Sequence, residues 1–291
     1  MLTLFSIPKA FHGDTATIQR NAIQSWMRLR PSCEILLMGE DPGTADTVRE
    51  FGLRHIGTVK RNVAGTPLVS DLFARATEAA SHDILCYVNA DIILMSDFLA
   101  AVQRVLGHLK SFLMVGQRWD LEVKQALDFS EGWEADMKAR ARSAGRLHGP
   151  TGPDYFVFAR GMWRSVPPFA VGRTAWDMWF IHEARCLKVP VVDLTRATTV
   201  IHQNHGFSHH PGGKEGIWQG EEARQNLALL GGYRNACTLR DATHVLGPDG
   251  VRRRLIPYDL KRCLVTPVTT HPLMKPWVRI LKSVAGFRRS G

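Results

Sequence analysis

The sequence predicts an α/β protein with a mostly parallel sheet covered by helices on both faces. Three observations predict it. Short apolar, strand-forming runs alternate with amphipathic segments through the first half of the chain, the order that right-handed strand–helix–strand units require. Each run ends in polar or turn-forming residues, and on such sheets ligands bind beyond the carboxyl ends of the strands. The chain has 291 residues, 45% of them hydrophobic and 22% charged, enough to bury a sizeable core without a membrane.

Taken in order, "LTLFSI" opens as a strand that runs out at Ser6-Ile7-Pro8. Asp14 or Thr15 can cap a helix to about Leu29, with Ile18, Ala22 and Trp26 on one stripe and Pro31 beyond its end. "EILLM" is a second strand, followed by the polar turn "GEDPG". A short helix near "TADTVREF" is closed by Gly52, and "LRHI" makes a third strand. Thr66-Pro67 is a cap and first-turn pair for a helix to about Ala80. Strand four, Ile84 to Val88, stops at Asn89-Ala90-Asp91 and resumes as Ile92-Ile93-Leu94, after which Ser96 caps a helix to about Leu109.

The second half changes character. "SFLMVGQRWD" reads as one strand, Leu127 to Ala144 as helix-prone, and "HGPTGPD" as a Gly/Pro-rich crossing. "YFVFAR" is strand-like and "TAWDMWFIHEARCL" helix-like, with Thr174 as its cap. "VPVVDL" and "TTVIH" are short strands, "QGEEARQNLALLGG" is a helix closed by glycine, and "ATHVLGPDGVRRRL" is a hairpin around Pro-Asp-Gly. The expected organisation is one domain over 1–240, with halves 1–95 and 96–240, then a hairpin and basic helical extension over 241–291.

Several classes lose support. No GxGxxG follows the first strand and no P-loop pattern occurs. No apolar run approaches the roughly 20 residues of a membrane span, and "MLTLFSIPKAF" reads as a strand, not a signal peptide. Five scattered cysteines without paired spacing point to reduced thiols and a cytoplasmic protein. A net charge of +10 favours anionic partners, although any one basic cluster is ordinarily a solvated surface. The closing "PLMKPWVRILKSVAGFRRSG" mixes apolar and basic residues; it reads equally as a helix packed on the domain or as a peripheral contact with an anionic inner membrane face.

Asp91 carries the chemistry. A carboxylate set into so apolar a stretch loses hydration and needs a partner: an arginine or turn N–H in one reading, a cation in the other. The pattern of apolar strand, Asn89-Ala90-Asp91 and apolar continuation, preceded by the helix "PLVSDLFARATEAA", resembles the Asp-x-Asp motif of GT-A type nucleotide-sugar glycosyltransferases. The resemblance implies a Rossmann-like GT-A fold, with the nucleotide-binding half over 1–95 and the acceptor and catalytic half over 96–240. It implies metal-dependent transfer of a sugar from a nucleotide-diphosphate donor, a UDP-sugar foremost, to an acceptor hydroxyl on a glycan or a lipid-linked carrier. Asp91 is then a direct ligand of Mn²⁺ or Mg²⁺. Asn89 departs from the motif's first acid: it keeps hydrogen bonding to ribose but removes a charge, so metal binding leans more on the diphosphate.

The same resemblance places further residues. His202, just past "TTVI", is the first candidate for a second metal ligand and His205 the next, within a histidine-rich run that includes His209 and His210. Asp177 stands where inverting members carry a general base, and packing by Trp176 and Trp179 desolvates it, which suits a base; inversion is therefore the expectation, although retaining members share fold and motif. Trp176 is also placed as a sugar-facing ring, with core packing as the second reading for both tryptophans. Pro8 lines the base pocket, and Asp41 and Asp71 are nucleotide contacts with a second reading as turn or capping acids. Arg118, Asp120 and Asp154 fall where the acceptor pocket is built. "GQRW" lacks the QxxRW spacing of processive synthases.

Alternatives are a sugar-phosphate nucleotidyltransferase, whose Gly-rich basic loop is replaced here by "SIPKAFHGDTA", and a nucleic-acid-binding protein, for which no module is present. No nucleic-acid partner is expected. A metal hydrolase rests only on the histidine run.

Overall fold

The computed structural model of the chain describes residues 2–206, 213–254, 266, 267 and 270. Most of the C-terminal extension, including its basic end, and His209 and His210 lie outside the described residues.

The elements follow in chain order as β1 (Leu2–Ser6), α1 (Gly13–Met27), β2 (Glu34–Met38), α2 (Thr44–Phe51), β3 (Arg54–Ile56), α3 (Val69–Ala79), β4 (Ile84–Val88), β5 (Ile92–Ile93), α4 (Ser96–Leu106), β6 (Leu113–Val115), β7 (Trp119–Leu121), α5 (Trp133–Ala144), β8 (Arg146–Leu147), β9 (Tyr155–Ala159), α6 (Trp176–Cys186), β10 (Val191–Asp193), β11 (Ile201–Gln203), α7 (Gly213–Gln219), α8 (Glu221–Leu230), β12 (His244–Gly247) and β13 (Gly250–Arg253). They build a large sheet in the order β13-β12-β10-β6-β9-β4-β1-β2-β3 and a small one in the order β5-β11-β7-β8. The large sheet is parallel except at β9, antiparallel to β4 and β6, and at the β12–β13 hairpin.

Apolar runs become strands here because both faces of the large sheet are covered. Neighbouring residues alternate between two cores, since strand side chains point to opposite faces. Phe5, Leu36, Tyr87 and Phe158 join Phe73 of α3 and Phe180 of α6, whereas Leu4, Leu37, Cys86 and Val157 join Trp26 of α1 and Phe98 of α4. A third, smaller cluster sets Ile93, Leu121 and Ile201 of the small sheet against Met137 and Ala141 of α5. No helix among the described residues is long and apolar enough to cross a membrane.

The expected fold class is the one observed, with local differences. Helix α3 begins at Val69, not behind Thr66, because Pro67 and Leu68 are held extended in bridges to Arg61 and Ala170. Helix α5 begins at Trp133; Leu127 instead gives its N–H to Asn21 Oδ1 at 2.8 Å. Residue 175, not Thr174, caps α6. The stretch "SFLMVGQRWD" is two strands in two sheets, β6 and β7. The break falls at Gly116, where a Cβ would collide with the Tyr155 hydroxyl. Sequence reading found neither α7 nor β8.

Candidate metal and active site

The small sheet arranges the site. His202 on β11 stands opposite Ile92 on β5 and beside Asp120 on β7, and Asp120 stands opposite Arg146 on β8. Because side chains alternate, Ile201 and Leu121 go into the α5 core while His202 and Asp120 take the other face. Asp91 enters this row from the turn after β4, where Ile92 N–H bonds Asn89 C=O at 3.1 Å and Gln203 N–H bonds Asp91 C=O at 3.2 Å.

Asp91 Oδ2 lies 3.0 Å from His205 Nε2 and 3.6 Å from His202 Nε2. The ligand atoms of Asp91, His202 and His205 all fall within 4.8 Å of one another, the one such cluster among the described residues. Burial pushes the Asp91 carboxyl up, but His202, the His205 hydrogen bond and Lys9 outweigh it and hold it well below the usual carboxylate range. Its Oδ1 is buried without a hydrogen-bond partner, an arrangement that is costly unless something else meets that oxygen. One carboxylate and two imidazoles leave coordination positions open for oxygen donors, so these residues fit a divalent cation of the Mn²⁺ or Mg²⁺ kind.

Next to it lies a second polar network. Asn89 accepts from the Tyr87 hydroxyl at 2.7 Å and donates to Asp154 Oδ1 at 2.8 Å. Arg118 Nη1 donates to Asp154 Oδ2 and Nε donates to Asp120 Oδ1 at 3.0 Å. Asp120 Oδ2 also takes His148 Nδ1 at 2.8 Å and Arg146 at 3.2 Å. Burial raises the Asp120 pKa, yet the His148 and Arg118 hydrogen bonds outweigh that and bring it down to about 2.

Asp177 sits in the first turn of α6, behind Ala175, a buried non-glycine residue at φ 84°. Such a left-handed residue costs roughly 1–3 kcal/mol and persists where its surroundings fix it. Burial pushes the Asp177 carboxyl up to about 6, opposed by the N–H groups of Met178 and Asp177; the Asp154 charge adds to the rise and Arg118 offsets it. The Asp154 and Arg118 charges therefore reach Asp177. Trp176, 6% exposed, packs edge-on to Tyr87 at 5.3 Å, and Trp179 is 7% exposed against Phe180 at 5.1 Å. Both rings therefore lie in the aromatic core behind Asp177.

The structure thus brings together Asn89, Asp91, Arg118, Asp120, Asp154, His202 and His205, while Asp177 is tied to them only through the Asp154 and Arg118 charges. Asp41 and Asp71 have partners outside this group: Asp41 pairs with Arg61 at 2.7 Å, and Asp71 accepts Lys60 N–H at 2.8 Å and Arg75 at 2.7 Å. Together they brace the segment after β3. Pro8 is buried at the β1 exit, whose path is fixed by Gln19, bonded to Lys9 N–H at 2.6 Å and to Lys9 C=O at 2.8 Å. Sequence reading missed Lys9, whose charge acts on Asp91, and also Tyr87, Arg146 and His148. Lys9 was findable, since it follows the end of the first strand; the others needed the pairing of β7 with β8 and the turn at Asn89.

The chain is thus an α/β domain with a largely parallel sheet, and its carboxylate–histidine cluster lies between the turn after β4 and strand β11 of the small sheet. No protein-family model and no curated protein matches the chain. Among solved structures it is similar to Staphylococcus aureus TarS 1–349, with 11% identity over 70% of this chain and 60% of that one and a TM-score of 0.48. It is also similar to glucosyl-3-phosphoglycerate synthase from Mycobacterium tuberculosis in complex with Mn²⁺, UDP and glucosyl-3-phosphoglycerate, with 15% identity over 79% of each chain and a TM-score of 0.47. A third is the mannosyltransferase PcManGT from Pyrobaculum calidifontis in complex with GDP-Man and Mn²⁺, with 12% identity over 68% of this chain and 56% of that one and a TM-score of 0.44. The chain therefore spans about three fifths of TarS 1–349.

Proposed function

We propose that the chain is a metal-dependent glycosyltransferase of GT-A type, moving a sugar from a nucleotide-diphosphate donor to an acceptor hydroxyl with inversion. The observation that carries this proposal is the Asp91–His202–His205 cluster; beyond it, the carboxyl of Asp177, on which the Asp154 and Arg118 charges act, is raised to about 6.

Asp91, His202 and His205 hold Mn²⁺ or Mg²⁺, which when bound supplies positive charge to the departing diphosphate. Lys9 adds a cation on the same side. The donor, a UDP-sugar foremost, is cradled by the β1 exit at Pro8 and by Asn89, whose Nδ2 carries a second N–H for ribose; Asp41 and Asp71 complete the nucleotide side by bracing its wall. Arg118 and Asp154 form the acceptor wall, with Trp176 behind it.

At the reacting centre, Asp177 takes the proton of the acceptor hydroxyl on one carboxylate oxygen while that hydroxyl oxygen bonds the anomeric carbon. The bond from that carbon to the diphosphate breaks on the opposite face, through an oxocarbenium-like transition state of the kind known from glycoside hydrolysis. A pKa near 6 suits this role, because the carboxylate is ionised at neutral pH and is more basic than an ordinary aspartate. The acceptor is a glycan or lipid-linked carrier and the setting cytoplasmic, with membrane contact through the C-terminal residues beyond those described.

Incubating the full chain with UDP-, GDP- and dTDP-sugars and Mn²⁺, and measuring nucleoside-diphosphate release and thermal shift, tests the proposal. Metal-dependent stabilisation by one donor class is expected. The absence of both binding and slow hydrolysis for every donor would remove the glycosyltransferase assignment.

A further inference from the structure

We infer that Asp120 is a positioning residue for the metal centre: it holds the Nδ1–H of His202 and so turns the Nε2 lone pair toward the cation. The inference rests on the metal site proposed above and moves Asp120 from the acceptor wall to a place behind a ligand.

Four observations carry it. First, the parallel register of β7 and β11 sets Asp120 directly beside His202, with both side chains on the same face of the small sheet. Second, His202 stands between two carboxylates through opposite ring nitrogens. Nε2 is 3.6 Å from Asp91 Oδ2, and Nδ1 is 3.6 Å from Asp120 Oδ1. Third, His202 Nδ1 is buried and has no hydrogen-bond partner at this separation. A buried ring N–H needs an acceptor, and a small turn of the imidazole brings Asp120 Oδ1 into range. Fourth, Asp120 is itself held from the far side. Its Oδ1 takes Arg118 Nε at 3.0 Å, and its Oδ2 takes His148 Nδ1 at 2.8 Å and Arg146 Nη2 at 3.2 Å. A carboxylate so tied is 11% exposed and has little left to offer an acceptor sugar, but it can aim one lone pair at His202.

A neutral imidazole has one N–H and one lone pair. Ligation through Nε2 requires the proton on Nδ1, and a carboxylate behind Nδ1 selects that tautomer, orients the ring and raises its basicity. Were the proton on Nε2, it would face the cation's position, and the Nδ1 lone pair would face the Asp120 carboxylate; both contacts are repulsive.

Two measurements test the inference. A long-range ¹H–¹⁵N spectrum of the unaltered, Mg²⁺-loaded chain at about pH 8, above the ordinary histidine pKa, should show His202 protonated at Nδ1 and bare at Nε2. A proton on Nε2 in that spectrum overturns the inference without any variant. The second measurement is Mn²⁺ affinity by electron paramagnetic resonance without nucleotide. Asp120→Asn, whose amide can present N–H to Nδ1, should bind Mn²⁺ about 10–100-fold more weakly. Arg146→Gln, removing a mostly exposed partner of the same carboxylate, should stay within about twofold. Equal affinity for Asp120→Asn and the parent chain sinks the inference, as does an equal loss in Arg146→Gln; if Asp120→Asn fails to melt cooperatively, the tautomer decides alone. Failure of the metal site itself is distinguishable, because Mn²⁺ would then bind no more weakly to Asp91→Ala or His202→Ala than to the parent chain, or would not bind the parent at all.

Discussion

The two sheets divide the work of the molecule. The large sheet spends its side chains on packing: Phe5, Leu36, Leu37, Cys86 and Phe156 are essentially inaccessible, and its polar ends carry little of the cleft chemistry beyond Asn89 and Asp154. The small sheet has strands of two or three residues and keeps one face apolar against α5, while the other presents His202 and Asp120 to Asp91. Short strands make few ladder hydrogen bonds, so the small sheet depends on its neighbours for position. Packing dominates one sheet and the polar row lies on the other, where the proposed chemistry would take place.

The sharpest break in that division is at the metal cluster. Asp91→Ala should abolish Mn²⁺-dependent donor binding and lower turnover by about 10³-fold or more, while the melting temperature without metal stays within a few degrees. Isothermal titration with Mn²⁺ and nucleoside diphosphate reads the first effect and calorimetry the second.

Asp177→Asn comes next. It should lower transfer by about 10²–10⁴-fold and leave donor binding unchanged; retained turnover removes Asp177 from the base role. In the parent chain, the rate should climb with pH through about 6 as Asp177 loses its proton. The stability effect has the opposite sign. The folded chain holds this proton more tightly than the ordinary value of 3.8, so Asp177 stabilises below that value, and the contribution is lost as pH rises through about 6. At pH 7, Asp177→Asn should therefore gain roughly 1–3 kcal/mol, read by urea unfolding at pH 4 and pH 7. A gain only at the higher pH is the expected signature.

The large sheet should respond the other way. Phe73 is 2% exposed and packs on Phe180 at 4.5 Å and Phe5 at 5.0 Å. Phe73→Ala should cost about 3–5 kcal/mol, yet the Mn²⁺ affinity of the chain that remains folded should stay within about twofold. A large loss of metal affinity would show that the two sheets are not separable.

The sequence was readable where local pattern and burial coincide. The runs at Leu2–Ser6, Glu34–Met38 and Ile84–Val88 are strands because both faces are apolar, and the stripe Ile18, Ala22 and Trp26 is fully covered. Caps were less legible: Thr66 and Thr174 look like helix starts, but backbone bridges and the left-handed Ala175 set those boundaries instead, and Asp14 lies inside the first turn of α1, behind His12. Asp91 stood out as an ionisable group set into an apolar run, whereas Asp177, His202 and His205 were placed only by the resemblance to GT-A enzymes. The links among them were not legible, since His202 meets Asp120 only through pairing between strands 82 residues apart in number, and β8 has no apolar signature. The ion pairs of Arg118 were hidden for the same reason: nothing local reveals that Asp120 and Asp154 divide its guanidinium.

Helix α1 joins the two regions, and it supplies the smallest of these effects. Its apolar stripe goes to the large sheet, but its buried Asn21 reaches β11 of the small one. Asn21 Nδ2 donates to Gln203 Oε1 at 3.0 Å, Asn21 Oδ1 accepts from Leu127 N–H at 2.8 Å, and Gln203 Nε2 donates to Ile18 C=O at 2.8 Å. Gln203 directly follows His202, so this clamp fixes where β11 ends and where His205 begins its approach to Asp91. Asn21→Ala leaves Leu127 N–H and Gln203 Oε1 buried without their partner, a loss of about 1–3 kcal/mol. Because the clamp acts on the backbone beside two metal ligands, Mn²⁺ affinity should fall as well, by a few-fold. Asn21→Asp keeps the acceptor for Leu127 but faces Gln203 Oε1 with a second oxygen, so it should retain part of the stability and lose metal affinity by a similar few-fold. If both variants lose stability while Mn²⁺ binds as in the parent chain, α1 is merely a packing element, and the small sheet holds its ligands in place unaided.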